Sequence, residues 1–253
     1  MKIQYASDLH LEFPMNRDFI LAGGMAVTGD VLVLAGDIGY LENVTEFDPF
    51  WDWCSENYRH TFIVPGNHEY YAWSDITQYM SYKKMLRENV GYYNNVVETV
   101  EGTIFIFSTL WSEIAPEAMA LVAEKMPDFT NIRYGTRPML PVDVNDIHRK
   151  SVDFIFEAIV NSRAKSTIVV THHLPSFALI APEYQTSPIT CAFATELKDK
   201  IESIAPDYWI YGHSHTNIDA MIGKTQVVCN QLGYLKFNES FTFDDSRVIE
   251  IDC

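Results

Sequence analysis

The chain has 253 residues, 47% of them hydrophobic and 21% charged, enough to bury a sizeable core as one large domain or one domain with an insertion. Its 18 basic and 34 acidic residues give a net charge of −16, and no Lys/Arg run forms a basic patch. That balance argues against long nucleic acids and anionic membranes as partners. The opening MKIQYASDLH lacks the apolar run and cleavage site of a secretory leader, and no stretch nears the ~18 apolar residues of a membrane helix. Cys54, Cys191, Cys229 and Cys253 are far apart and form no C-x-x-C, so a reduced, cytoplasmic protein with free thiols is expected.

Residues 1–8, MKIQYASD, read as a short buried strand that ends in Asp8-Leu9-His10. DVLVLAGD (30–37) is a second strand, ending in Gly36-Asp37, and a helical pattern follows over 45–58. HTFIVPGN (60–67) is a third, running into Gly66-Asn67-His68-Glu69. The pattern over 74–89 predicts a helix with Ser74 as its N-cap. Residues 96–110 read as a hairpin that turns at Glu101-Gly102. The stretch 111–141 carries Pro116, Pro127, Pro138 and Pro141 and breaks the alternation, so a cap-like insertion over the site is expected there. Residues 142–163 form the clearest amphipathic helix, with Val144, Ile147, Ile155 and Ile159 near helical spacing. STIVVTHH (166–173) and PDYWIYGH (206–213) are further strands, ending in His172-His173 and in Gly212-His213-Ser214-His215. More strands close the chain.

Strands alternating with helices predict an α/β fold, and the hairpin and final strands add a second, partly antiparallel sheet. No internal repeat divides the chain, so a single domain over 1–253 is expected. Ligands of such sheets bind beyond the carboxyl ends of the strands. Six of the eight histidines lie there; only His60 and His148 fall elsewhere. In extended backbone, residues i and i+2 project to one side, so His213 and His215 can reach one point or two neighbouring points. Carboxylates, imidazoles and one amide oxygen suit divalent Mn, Fe or Zn, not a thiolate site. Seven such side chains exceed the needs of one tetrahedral ion and suffice for two ions that share a carboxylate.

The ordered blocks D-x-H (Asp8, His10), G-D (Asp37), G-N-H-E (Asn67, His68, Glu69), a histidine after a strand (His172) and G-H-x-H (His213, His215) resemble the calcineurin-like metallophosphoesterase superfamily. The blocks span residues 8 to 215, and the first three are about thirty residues apart, the length of a βα unit. The resemblance implies a four-layer α/β/β/α sandwich of two mixed sheets flanked by helices. It implies a first metal held by Asp8, His10 and His215, a second held by Asn67, His172 and His213, and Asp37 as the bridge. His68 would be catalytic, donating to a phosphate oxygen and protonating the leaving group. The implied reaction is hydrolysis of a phosphomonoester or phosphodiester by a metal-bridging hydroxide, without a phosphoenzyme.

Two departures stand out. Protein serine/threonine phosphatases of the superfamily continue G-D-x-x-D-R, whereas here Tyr40 and Leu41 stand at the Asp and Arg positions. The acid that orients the catalytic histidine and an arginine that grips phosphate are thus missing, which points to the compact bacterial-type phosphoesterases. Asp8-Leu9-His10 is also followed by Leu11-Glu12 instead of the Gly common in that branch. Arg133 and Arg137 are the candidate substrate contacts, since arginine can hold phosphate through two parallel bonds. Core roles are expected for Trp51, Trp53, Trp73 and Trp111, and a structural role for residues 229–234. Partners are expected to be small phosphorylated substrates. The rival functions are a non-catalytic metal-binding scaffold of this fold, and a nuclease or cyclic nucleotide phosphodiesterase.

Overall fold

Successive residues of one strand feed two different apolar layers. Val31 and Val33 face one and Leu32 and Leu34 the other, so this strand is buried on both sides. A computed structural model describes residues 1–251. Its first six-stranded sheet runs Val248–Glu250, Lys2–Ala6, Val31–Leu34, His60–Ile63, Val90–Asn94 and Tyr82–Arg87 in spatial order. The second runs Ala220–Ile222, Thr225–Cys229, Tyr208–Tyr211, Ser166–Thr171, Thr103–Ser108 and Val96–Val100. Both are mixed, with parallel centres and antiparallel edges.

The two sheets pack face to face through Tyr5, Val33, Phe62, Phe105, Phe107, Val170 and Ile210. Helix Asp48–Asn57 covers the outer face of the first sheet with Phe50, Trp51 and Cys54. Helices Pro141–Asn161 and Lys198–Ile204 cover the second with Val152, Ile155, Ile159 and Ile201. This is the expected four-layer α/β/β/α sandwich. A small third sheet joins Arg137–Pro138, Ile132–Tyr134 and Ser74–Asp75. Among the described residues no helix is long and apolar enough to cross a membrane. Cys54, Cys191 and Cys229 are free, while Cys253 lies outside the described residues.

The helix expected over 74–89 is absent. Ser74–Asp75 is a short strand, Ile76–Tyr79 a 3-10 turn capped by Asp75, and Tyr82–Arg87 an edge strand antiparallel to Val90–Asn94. Lys, Met, Leu and Arg favour helix locally, but propensities of a few tenths of a kcal/mol per residue yield to sheet pairing. The hairpin at Glu101-Gly102 forms between Val96–Val100 and Thr103–Ser108. Trp51 and Trp111 are core residues, whereas Trp73 is 46% exposed.

Candidate metal centre

Each strand of the parallel core releases its chain into a turn at its carboxyl end, and these turns meet between the two sheets. Asp8, His10, Asp37, His213 and His215 all have positive φ, between 49° and 79°. Such backbone costs about 1–3 kcal/mol per non-glycine residue. Each fully buried core side chain contributes about 1.5–3 kcal/mol, so the large inter-sheet layer can hold these turns. Backbone bonds tie the turns together: Asp8 N donates to Gly36 O, and His10 N to Asp37 O. At Gly66 a side chain would collide with the Asp37 carboxylate, and at Gly212 with that of Asp8.

The donor atoms form groups. Those of Asp8, His10 and His215 lie within 4.8 Å of one another, and so do those of Asp37, His172 and His213. The Nε2 atoms of His10 and His215 are 3.0 Å apart. His172 Nε2 lies 3.1 Å from both Asn67 Oδ1 and His213 Nδ1. Asp37 reaches both groups, with Oδ1 3.4 Å from His172 Nε2 and Oδ2 3.8 Å from His10 Nε2.

The donor set fits divalent cations. The Nδ1 atoms of His10, His172 and His215 face Glu12, the Ala35 carbonyl and Glu239. Such partners fix the ring and leave Nε2 aimed inward, as metal-binding histidines require. Asn67 Nδ2 donates to Asp128 and to the Tyr71 hydroxyl, which turns its amide oxygen toward His172. His213 is held neutral by burial and by the neighbouring His173 and His172, so it can offer a lone pair.

The carboxylates keep two other rings charged. Burial opposes protonation of His172, but Asp37 and Asp8 outweigh it and raise its pKa to about 9. Burial is likewise outweighed at His215 by Asp8 and Glu239, which raise it to about 10. A cation held by these two rings at pH 7 would displace their protons. Apparent metal affinity is expected to rise with pH up to about 10, and the binding heat to follow the buffer's ionisation enthalpy. The stability of metal-free protein has the opposite sign. A raised histidine pKa stabilises fully below the unfolded value of about 6.5, and that gain is lost as pH rises through about 9 and 10. Thermal melts of metal-free protein from pH 7 to 10 check this; a rising Tm contradicts it.

His68 sits beside both groups in a separate cluster with His10 and Glu12. Its backbone N–H donates to Asp37 Oδ1 at 2.9 Å, and its Nδ1 lies 2.8 Å from Glu12 Oε1. Burial opposes its charge, but Asp37 and Glu12 raise its pKa. Its Nε2 lies 3.3 Å from the Tyr234 hydroxyl and 4.0 Å from Asp37 Oδ2, beside the cavity. Glu69 accepts from the backbone N–H groups of Asp37, Ile38 and Gly66, pinning two turns together. Burial and the Asp37 charge push its carboxyl up to about 8, against the pull of those amides. His173 is buried, packs at a tilt against His213 and Trp111, and leaves its Nδ1 unpartnered.

The structure does not bring Arg133 and Arg137 to this site. Arg137 forms a two-bond pair with Asp143, and Arg133 donates to the Trp73 and Gly135 carbonyls beside Asp75. Glu12, Asp128, Tyr71, Tyr234 and Glu239 also reach these side chains, and no motif marked them. Glu12 had a signal, since it stands two residues after His10. Tyr234 lies in the stretch 229–234, for which a structural role was expected; its ring packs against His10 and His215.

The chain is 30% identical over 283 residues to the uncharacterized protein L509 of Acanthamoeba polyphaga mimivirus, covering 99% of this chain and 96% of that one. Its fold is similar to the crystal structure of phosphopantetheinyl hydrolase from Mycobacterium tuberculosis, with a TM-score of 0.68 at 15% identity over 95% of this chain and 93% of that one. The calcineurin-like phosphoesterase model matches residues 1–217, which contain every donor group described above, and the chain belongs to that family.

Proposed function

We propose that this metal-dependent phosphoesterase holds two divalent ions, Mn, Fe or Zn, and cleaves a small phosphomonoester or phosphodiester. Asp8, His10 and His215 would hold one ion, Asn67, His172 and His213 the other, with Asp37 shared. The observation that carries this reading is the placement of Asp37 between two inward-facing donor groups, with His68 beside it. When bound, the pair would supply Lewis acidity toward the phosphoryl oxygens and a shared water acidic enough to attack at neutral pH.

The chain's own residues do the rest. Asp128 and Tyr71 orient the Asn67 amide. Glu12 accepts from His68 Nδ1 and so directs Nε2 toward the cavity, where it donates a proton to the leaving oxygen. Glu12 thus takes over the orienting task of the acid replaced by Tyr40. Residues 111–141, the expected cap-like insertion, would cover the site together with residues 176–193, and Met126, Pro127, Ile180 and Phe193 from them line it.

The test of the reading is turnover of an aryl phosphate and a bis-aryl phosphate with added Mn²⁺. Absence of turnover on both, in protein that has taken up the ions, would end it. The Glu12 role has its own check. Glu12→Gln is expected to lower kcat by about 10–100-fold with little change in KM. The loss should be largest on alkyl esters, which need a proton on departure, and smallest on nitrophenyl esters. An equal loss on both would leave Glu12 without that role.

A further inference from the structure

We infer that the alcohol side of the substrate is apolar and carries no charge of its own. This deepens the phosphoester reading and rests on it. The cavity over the donor groups has a volume of about 450 Å³, within the range of small-molecule sites. Its floor is formed by Asp37, Asn67, His68 and His213. Its walls are mostly apolar and come largely from two separate segments of chain, with the hydroxyls of Ser187, Thr190, Thr216 and Tyr234 among their uncharged polar groups. Met126 and Pro127 form one side, and Ile180, Tyr184, Ile189 and Phe193 the other.

Among the described residues no lysine or arginine lines this cavity. The two arginines nearest in sequence to the wall residue Pro127 are committed to Asp75 and Asp143. Glu239 also lines it, with its carboxylate against His215 Nδ1, and offers no positive charge. Loaded with the proposed ions, the floor can neutralise one phosphoryl group. A second anion further up would leave water for apolar walls with no counter-charge, which is unfavourable. An uncharged alkyl or aryl group instead exchanges water for hydrocarbon on both sides, about fourfold in affinity per buried methylene. Nucleoside polyphosphates, bisphosphates and carboxylated esters are thereby selected against, and phosphate esters of uncharged, apolar alcohols selected for.

The experiment uses the full chain loaded with Mn²⁺ and measures calorimetric binding of ethyl-, butyl-, hexyl- and 5-carboxypentylphosphonate. In parallel it compares turnover of phenyl phosphate and 4-carboxyphenyl phosphate. Affinity is expected to climb from ethyl to hexyl, and the terminal carboxylate to cost at least about tenfold against hexyl. Phenyl phosphate should exceed its carboxylated analogue in kcat/KM by a similar factor. In Ile189→Lys, or in Tyr184→Lys at the more exposed rim, the preference should shrink or invert. The ratio of two affinities in one variant is insensitive to a fraction of misfolded protein. Affinity that is flat with chain length, or a carboxylate that binds as well as hexyl, overturns the inference while turnover of phenyl phosphate keeps the phosphoester reading intact. If no ester is cleaved and no phosphonate binds, the phosphoester reading fails and this inference with it.

Discussion

Asp37→Ala protein is expected to lose about three orders of magnitude or more in kcat/KM on aryl phosphates and to hold fewer than two ions per chain. Four contacts converge on this one carboxylate. Oδ1 lies 3.4 Å from His172 Nε2 and accepts the His68 backbone N–H at 2.9 Å. Oδ2 lies 3.8 Å from His10 Nε2 and 4.0 Å from His68 Nε2. Truncation removes the group common to both donor sets and the main counter-charge of His172. It also frees the His68 backbone from its anchor. Initial rates with Mn²⁺ and elemental analysis of the purified variant measure the two losses separately. Wild-type activity in this variant would end the proposed mechanism.

His68→Ala should behave differently. Its kcat is expected to fall by about 10²–10⁴-fold with both ions retained. The reason is where its nitrogens point. Nδ1 goes to Glu12 and Nε2 lies nearest the Tyr234 hydroxyl, and His68 belongs to neither the Asp8, His10 and His215 group nor the Asp37, His172 and His213 group. The defect should be greatest for esters with poor leaving groups. Loss of metal from His68→Ala would instead make His68 a ligand, and the cluster of His10, Glu12 and His68 would then need a different account.

Much of the site was legible from short runs of residues. A buried strand is a run of apolar residues that stops abruptly, and the polar residue at the stop lies at the sheet's carboxyl edge. That pattern located Asp8, Asp37, Asn67, His172 and His213 without any knowledge of packing. It failed over 74–89, where Tyr82–Arg87 alternates between half-buried and exposed positions on a sheet edge. Local helix preference and edge pairing compete there, and only the neighbouring strand Val90–Asn94 decides between them. Arg133 and Arg137 misled for a related reason, because a charge read in sequence carries no information on which acid it will meet.

By itself the sequence determined the α/β class, the strand ends that carry the donors and the family to which the chain belongs. These depend on periodicity and spacing, which are local. The tertiary structure alone decided who partners whom. Glu12 meets His68 across 56 residues and Asp128 meets Asn67 across 61, both through turns whose positions are set by the packing of two sheets. Tyr40 stands where the serine/threonine phosphatases carry an acid, and packing brings Glu12 from the loop after the first strand to His68 Nδ1. The same holds for the cavity. Met126, Pro127, Ile180, Ile189 and Phe193 are far apart in sequence, and their apolar character becomes a property of the site only where the fold brings them over Asp37 and His68.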